Sequence, residues 1–124
     1  MVIDDDAALL KFTSRYLSRL GYSVSSFDNA GTAWSEFSSG GTNYSLVVLD
    51  VSMEELAGNK ISRMVLEASP EVRLILTSGY PYDVEKLLEP GRPRRVAFLH
   101  KPFTPAMLAD TVARLLQVAS QGQC

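Results

Sequence analysis

The stretch Leu46-Val47-Val48-Leu49-Asp50 is an uninterrupted apolar run that ends at a carboxylate. Such a run, rich in β-branched residues, is typical of a strand that is buried on both faces of a sheet. If other apolar runs form strands parallel to it, all their carboxyl ends lie along one edge of the sheet, where ligands bind in such folds. Three further runs also stop at polar residues: Val2-Ile3 before Asp4-Asp5-Asp6, Leu74-Ile75-Leu76 before Thr77-Ser78, and Val96-Ala97-Phe98-Leu99 before His100-Lys101.

Helical patterns alternate with these extended runs along the chain. A further strand is predicted over 22–27, whereas 81–89 supports only one or two helical turns. Three helices have candidate caps just before their apolar stripes: Asp6, Asp28 or Asn29, and Thr104. The alternation predicts an α/β fold with a doubly wound, five-stranded parallel sheet and helices on both faces. The patterns alone leave the strand order open.

Length and composition indicate one globular domain, since the chain has 124 residues with 46% hydrophobic and 21% charged. We expect the domain to span 1–119, with a short tail at 120–124. The net charge of −2 makes neither nucleic acid nor a membrane an expected direct partner. A cytoplasmic protein is favoured, because no apolar run approaches the ~20 residues of a membrane span and Cys124 is the single cysteine. The first run is short even with Met1, so we expect a trimmed N-terminus or a longer parent chain.

The residues at the predicted sheet edge have the composition of a metal-assisted phosphoryl-transfer site. Asp4, Asp5 and Asp50 would repel one another at close range, and a divalent cation removes that conflict. Mg²⁺ is the cation indicated, because it prefers oxygen ligands and the single histidine, His100, has no second imidazole to join it.

Asp50 is the candidate nucleophile, because it stands alone after the most apolar run and a carboxylate can form an acyl phosphate. Lys101 offers a compact positive charge to the transferring oxygens, and Thr77 offers a hydroxyl donor. The backbone carbonyl of Ser52 can reach the metal side. Each residue alone has an ordinary interpretation as a cap, a turn or a solvated acid. Their positions after separate strands favour a site.

The chain resembles the response-regulator receiver domains of two-component signalling over essentially its whole length. The resemblance is carried by Val-Ile-Asp-Asp-Asp at 2–6, Leu-Val-Val-Leu-Asp-Val-Ser-Met at 46–53 with Gly58, Ile-Leu-Thr-Ser-Gly at 75–79, and Lys-Pro-Phe at 101–103. It implies a flavodoxin-like sheet with strand order 2-1-3-4-5. The segments 78–80 and 98–104 further resemble receivers fused to hybrid sensor histidine kinases.

The same resemblance implies a role for each site residue. Asp50 would accept the phosphoryl group, and Asp5, Asp50 and the Ser52 carbonyl would bind Mg²⁺, with Asp4 assisting mostly through water. Lys101 would pair with the phosphoryl group and precede a cis peptide bond to Pro102. Thr77 and Phe98 would form a switch pair that responds to phosphorylation, although Phe98 is equally well interpreted as a core residue of the last strand.

The expected function is phosphorelay signalling, in which the chain catalyses only its own phosphorylation and dephosphorylation and then controls a partner or fused domain. The donor would be a phosphohistidine on a histidine kinase or a phosphotransfer domain. A homodimer through the last strand and its flanking helices is also considered. Two alternatives stay open: a receiver-like interaction module that is never phosphorylated, and a phosphatase with an aspartate nucleophile. Such phosphatases want a second aspartate two residues after the first, where Ser52 stands.

Two departures from the receiver pattern stand out. Glu54 follows Met53 where the family often has proline, and Glu55 adds a second carboxylate near the site. A proline-rich loop near the last strand carries three arginines, which we expect to be solvated, with a partner surface as the alternative: Arg92, Arg94 and Arg95.

Overall fold

The computed structural model describes residues 1–39, 44–52, 58–81, 84–87 and 94–121. Its strands are β1 (Val2–Ile3), β2 (Ser26–Phe27), β3 (Leu46–Asp50), β4 (Arg73–Ser78) and β5 (Val96–His100). Its helices are α1 (Ala7–Arg19), α2 (Ala30–Ser38), α3 (Gly58–Ala68) and α4 (Pro105–Gln121), with a single 3-10 turn at Val84–Leu87. The strands form one parallel sheet in the order β2-β1-β3-β4-β5, which confirms the expected fold.

The strands are buried because their side chains alternate between two apolar layers. On one face, Val47 and Leu49 pack with residues of α2 and α3. On the other face, Val48 packs with Leu17 of α1 and Leu108 of α4. Helices on both faces therefore cover the sheet, and its carboxyl edge remains as the place where strand ends and loops meet.

Local caps set the helix boundaries near that edge. The Asp6 carboxylate accepts a hydrogen bond from the Leu9 N–H at 3.1 Å, and the Thr104 hydroxyl accepts one from the Met107 N–H at 3.1 Å. Of the two candidate caps for α2, Asp28 and Asn29, the structure has Asn29. Its side chain accepts a hydrogen bond from the Thr32 N–H at 2.7 Å. Asp6 and Thr104 thus begin α1 and α4 directly beside the ends of β1 and β5.

Several boundaries differ from the sequence predictions. β2 covers two residues of the predicted 22–27, and α4 continues through Gln121, into the predicted tail. No helix among the described residues has the length and hydropathy needed to cross a membrane. Glu54 and Glu55, the two departures from the receiver pattern, lie outside the described residues.

Arg95 corrects the expectation of a solvated arginine loop. Its guanidinium reaches back to the end of α3 and donates to the carbonyls of Ser69 at 2.7 Å and Leu66 at 3.0 Å. A longer hydrogen bond, of 3.3 Å, goes to the carbonyl of Val72 just before β4. A helix end leaves its last carbonyls without intrahelical partners, so Arg95 satisfies groups that would otherwise need water. Arg94, by contrast, is exposed, as expected, and pairs with Glu85 at 3.3 Å. Arg92 lies outside the described residues.

Candidate functional site

The candidate site lies where β1, β3, β4 and β5 end. Asp50 is the last residue of β3 and is the register partner of Thr77 in β4. Asp4 follows β1 directly, and Lys101 follows β5. Four residues that are distant in sequence therefore meet because parallel strands end at one edge.

Lys101 connects two of these strand ends. Its Nζ lies 3.0 Å from Oδ2 of Asp50 and 3.1 Å from Oδ2 of Asp4. The Asp50 and Asp4 side chains are only 2% and 7% exposed, whereas that of Lys101 is 20% exposed. Charge-assisted hydrogen bonds of this kind hold buried carboxylates that would otherwise repel one another. The peptide bond from Lys101 to Pro102 is cis, in agreement with the resemblance.

The second oxygen of Asp50 is also occupied. Its Oδ1 accepts hydrogen bonds from the Ser52 N–H at 2.8 Å and from the Ser52 hydroxyl at 2.5 Å. Aspartate commonly accepts the N–H two residues ahead, and that local pattern could have been anticipated from the sequence. The hydroxyl contact is not predicted by the sequence, which indicates a role only for the Ser52 carbonyl. Both carboxylate oxygens of Asp50 thus face donors rather than open solvent.

Neighbouring strand ends use the same type of local turn. Oδ1 of Asp4 accepts from the Asp6 N–H at 2.9 Å, and the Ser78 hydroxyl accepts from the Tyr80 N–H at 2.9 Å. These side-chain turns replace the hydrogen bonds that the backbone loses where each strand stops. They also leave Oδ2 of Asp4 directed at Lys101.

The protein environment moves the ionisation of these groups in different directions. Burial raises the pKa of Asp4, and the donors Asp6 and Lys101 only partly offset this effect. Burial also tends to raise the pKa of Asp50, but hydrogen bonds from Ser52 and Lys101 outweigh it and hold that pKa below its ordinary value. Burial tends to lower the pKa of Lys101, yet its contacts with Asp50 and Asp4 raise it overall. Asp50 is therefore held as a carboxylate and Lys101 as an ammonium.

Three carboxylates form a group of the type that binds a hard cation. Asp4, Asp5 and Asp50 each offer one oxygen, and these oxygens all lie within 4.8 Å of one another. Asp5 is exposed, whereas the other two are buried, so the group opens to solvent on the side of Asp5. Mg²⁺ is bound in proteins by one or two carboxylates together with waters and phosphate oxygens. The donor set fits that ion.

The two expected switch residues occupy different environments. Thr77 is 2% exposed, beside Asp50 in the sheet. Phe98 is partly buried, packs against the core layer of α2 and α3, and meets the ring of His100 edge-on at a centroid distance of 6.2 Å. The structure therefore brings Asp4, Asp5, Asp50, Thr77 and Lys101 to one edge, while Phe98 lies within the last strand.

Comparison with protein families identifies this arrangement. Residues 1–113 match the family model of the response regulator receiver domain. The chain belongs to this family. As a receiver domain it is a signalling module of two-component systems, in which histidine kinases or phosphotransfer domains act as donors.

Curated relatives place similar receiver domains in proteins of different length. The receiver domain is 26% identical to the response regulator receiver protein CpdR of Brucella abortus over 96% of this chain and 97% of CpdR. It is 27% identical to the response regulator TodT of Pseudomonas putida, of which it spans 52%. It is also 29% identical to the sensor kinase CckA of Brucella abortus over 94% of this chain, but spans only 12% of that kinase.

Solved structures share the fold. A CheY-like receiver domain from Methanospirillum hungatei has a TM-score of 0.83 and 20% identity, with 98% of this chain and 94% of that chain covered. The BeF3-activated receiver domain of DrrB, a Thermotoga maritima protein, has a TM-score of 0.75 and 30% identity, with 94% of each chain covered.

Proposed function

We propose that Asp50 of this receiver domain accepts a phosphoryl group from a phosphohistidine of a histidine kinase or a phosphotransfer domain. The observation that carries this proposal is the contact of one ammonium, Lys101, with both Asp50 and Asp4 at the edge where the strands end. A preorganised positive charge beside a carboxylate nucleophile is what phosphoryl transfer requires, since charge develops on the phosphoryl oxygens.

The transfer of the phosphoryl group to Asp50 needs no further reactant. A carboxylate oxygen of Asp50 forms an O–P bond while the N–P bond of the phosphohistidine breaks. The imidazole leaves with the electron pair of that bond and, being protonated on its other nitrogen, departs neutral. Lys101 then follows the negative charge from the carboxylate to the phosphoryl oxygens, and Thr77 donates its hydroxyl to one of them.

The residues that would hold Mg²⁺ are Asp5, Asp50 and the backbone carbonyl of Ser52, with Asp4 acting through water. Of the three carboxylates, Asp5 is exposed, whereas Asp4 and Asp50 are buried. This difference supports Asp5 as the direct ligand. When bound, the ion neutralises charge on the carboxylates and on the phosphoryl oxygens.

Signal output would follow from a shift between two packings. A phosphoryl group carries about −1.5 to −2 charges and attracts hydroxyl and ammonium donors. Movement of the Thr77 side chain toward it would vacate space that the ring of Phe98 fills. Phe98 is partly buried and packs against the core cluster, which supports its role as the residue that moves.

The kinds of relatives support two arrangements for the parent protein. Similarity to CckA is consistent with a receiver fused to a hybrid sensor kinase, and similarity to CpdR with a stand-alone regulator.

A depression of about 490 Å³ beside the site could admit the donor residue. It is lined by Asp6, Ala8, Leu9, Lys101, Pro102 and Phe103. The domain would catalyse only its own phosphorylation and dephosphorylation, and it would act in the cytoplasm. A homodimer through β5 and its flanking helices would transmit the output.

One observation favours a second function, a receiver-like module that docks without phosphorylation. Asp50 is 2% exposed and both of its oxygens accept hydrogen bonds, so an electrophile has no direct path to it in this conformation. The two functions differ in whether Asp50 ever reacts.

The test is the intact mass of the protein after incubation with acetyl phosphate and Mg²⁺. The parent chain should gain one phosphoryl unit, Asp50→Asn should gain none, and Asp28→Asn, which changes an exposed aspartate, should behave as the parent. No gain in any of the three would support the docking module. An equal gain in the parent and in Asp50→Asn would move the acceptor to another residue.

A further inference from the structure

Ser52 makes two different contacts with the same oxygen of the proposed nucleophile. Its backbone N–H donates to Oδ1 of Asp50 at 2.8 Å, and its hydroxyl donates at 2.5 Å. The other oxygen, Oδ2, is held by Lys101 at 3.0 Å. Every donor on the Asp50 carboxylate in the described part of the chain therefore comes from Ser52 or Lys101.

The two residues affect reactivity differently. Lys101 carries a charge that stabilises the transferred phosphoryl oxygens as much as the carboxylate, so its contact is not lost in the reaction. The Ser52 hydroxyl is neutral, and its hydrogen bond is strongest to the full negative charge of the resting carboxylate. That charge leaves the carboxylate oxygen when the O–P bond forms. The hydroxyl therefore stabilises the state before transfer more than the state during transfer, which raises the barrier.

Ser52 can release Oδ1 without disturbing the fold. The residue is exposed, and rotation about one side-chain bond turns the hydroxyl to solvent while the backbone N–H stays in place. The hydroxyl can therefore bind and release Oδ1 of Asp50 while the carboxylate itself stays in place.

We propose that the Ser52 hydroxyl restrains Asp50 in an unreactive arrangement and thereby slows its phosphorylation by small phosphoryl donors. This inference rests on the proposed function of Asp50. With acetyl phosphate, a carboxylate oxygen of Asp50 forms the O–P bond, the bond between phosphorus and the acetyl oxygen breaks, and acetate leaves with that electron pair. No proton is gained or lost in the step.

The experiment measures the rate of phosphorylation by intact mass, with acetyl phosphate and saturating Mg²⁺. Ser52→Val and Ser52→Thr form an isosteric pair, since they differ only by a methyl group in place of a hydroxyl. Ser52→Val and Ser52→Ala should react about tenfold faster than the parent, which corresponds to about 1.4 kcal/mol in the barrier. Ser52→Thr should stay near the parental rate. Ser45→Ala, which changes an exposed serine just before the other end of β3, should leave the rate unchanged.

The readout separates failure of this inference from failure of the proposed function. If the parent is labelled and Ser52→Val reacts at the same rate or more slowly, the hydroxyl is not a restraint, yet Asp50 remains the acceptor. If neither the parent nor any Ser52 variant is labelled, both proposals are wrong. Combining Ser52→Val with Asp50→Asn must abolish labelling, because any label that remains would come from another residue. The Thr variant also guards against a general loss of folding, since it carries the same branched side chain as Val.

Discussion

Lys101 and Asp50 are 51 positions apart in sequence, and their Nζ and Oδ2 atoms are 3.0 Å apart in the fold. The same ammonium also contacts Asp4, which lies 97 positions away from it. One positive charge thus serves two buried carboxylates, and Asp5 stands beside them. The site as a whole is left with excess negative charge, which makes both its stability and its metal affinity sensitive to single substitutions.

Replacing Lys101 by Met should destabilise the protein at neutral pH in the absence of Mg²⁺. Two buried carboxylates then lose their counter-charge, at a cost of about 3 kcal/mol near pH 7. Urea denaturation with EDTA present measures the free energy of unfolding. Lys11→Met changes an exposed lysine of α1 and should alter that free energy by less than about 0.5 kcal/mol.

The loss of unfolding free energy caused by Lys101→Met should depend on pH. In the parent, the lowered pKa of Asp50 means that its stabilising contribution is present above its unfolded pKa of about 3.9 and is lost as the pH falls through the folded value. Without Lys101, Asp4 and Asp50 each lose a contact that lowers the pKa, so both folded pKa values should rise relative to the parent. The variant then gains stability relative to the parent as the pH falls, so the difference between the two should shrink toward about pH 4. A constant difference in unfolding free energy between the parent and Lys101→Met across this range would contradict the ion-pair explanation.

Asp5→Asn should weaken Mg²⁺ binding, as measured by isothermal titration calorimetry. It removes a full charge from the exposed carboxylate of the group, which is worth more than about 1.4 kcal/mol, or tenfold in affinity. Asp6→Asn is the matched control, because Asn caps a helix as well as Asp and the substitution removes the same charge one residue further along. Equal losses in the two variants would show that only net charge matters, and that Asp5 is not a direct ligand.

Arg95→Ala should destabilise the fold far more than Arg94→Ala. The first removes a charged donor from three carbonyls around the end of α3 and should cost about 2–3 kcal/mol. The second removes one exposed ion pair with Glu85 and should cost less than about 1 kcal/mol. Thermal and urea denaturation of the two variants measure the difference. Equal costs would mean that water replaces the Arg95 contacts without penalty.

Asn29→Ala should cost about 1 kcal/mol of stability, because the Asn29 side chain accepts the Thr32 N–H at the start of α2. Asp28→Ala, one residue earlier and exposed, should cost less than about 0.5 kcal/mol. Urea denaturation of the pair checks the assignment. A larger loss for Asp28→Ala would indicate that the cap forms at the earlier residue in solution.

Much of the fold was predictable because its signals are local. The apolar run ending at Asp50 predicted a buried strand, and the caps at Asp6 and Thr104 fixed where two helices begin. The length of β2 was overestimated, because Tyr22 to Ser25 have strand-like composition but few partners at the edge of the sheet. The sequence predicts a solvated loop residue at Arg95, since nothing near it in sequence indicates that the end of α3 lies within its reach.

Taken by itself, the sequence determined the alternation of strands and helices, the polar residues that end each strand and the family resemblance, because periodicity and short motifs act over a few residues. Tertiary structure alone decided that Lys101 contacts Asp4 and Asp50 together, that Asp50 is covered and that the Ser52 hydroxyl rests on its Oδ1. These features depend on how distant strand ends pack and on which side-chain rotamers the packing allows. Composition and spacing carry no information on either.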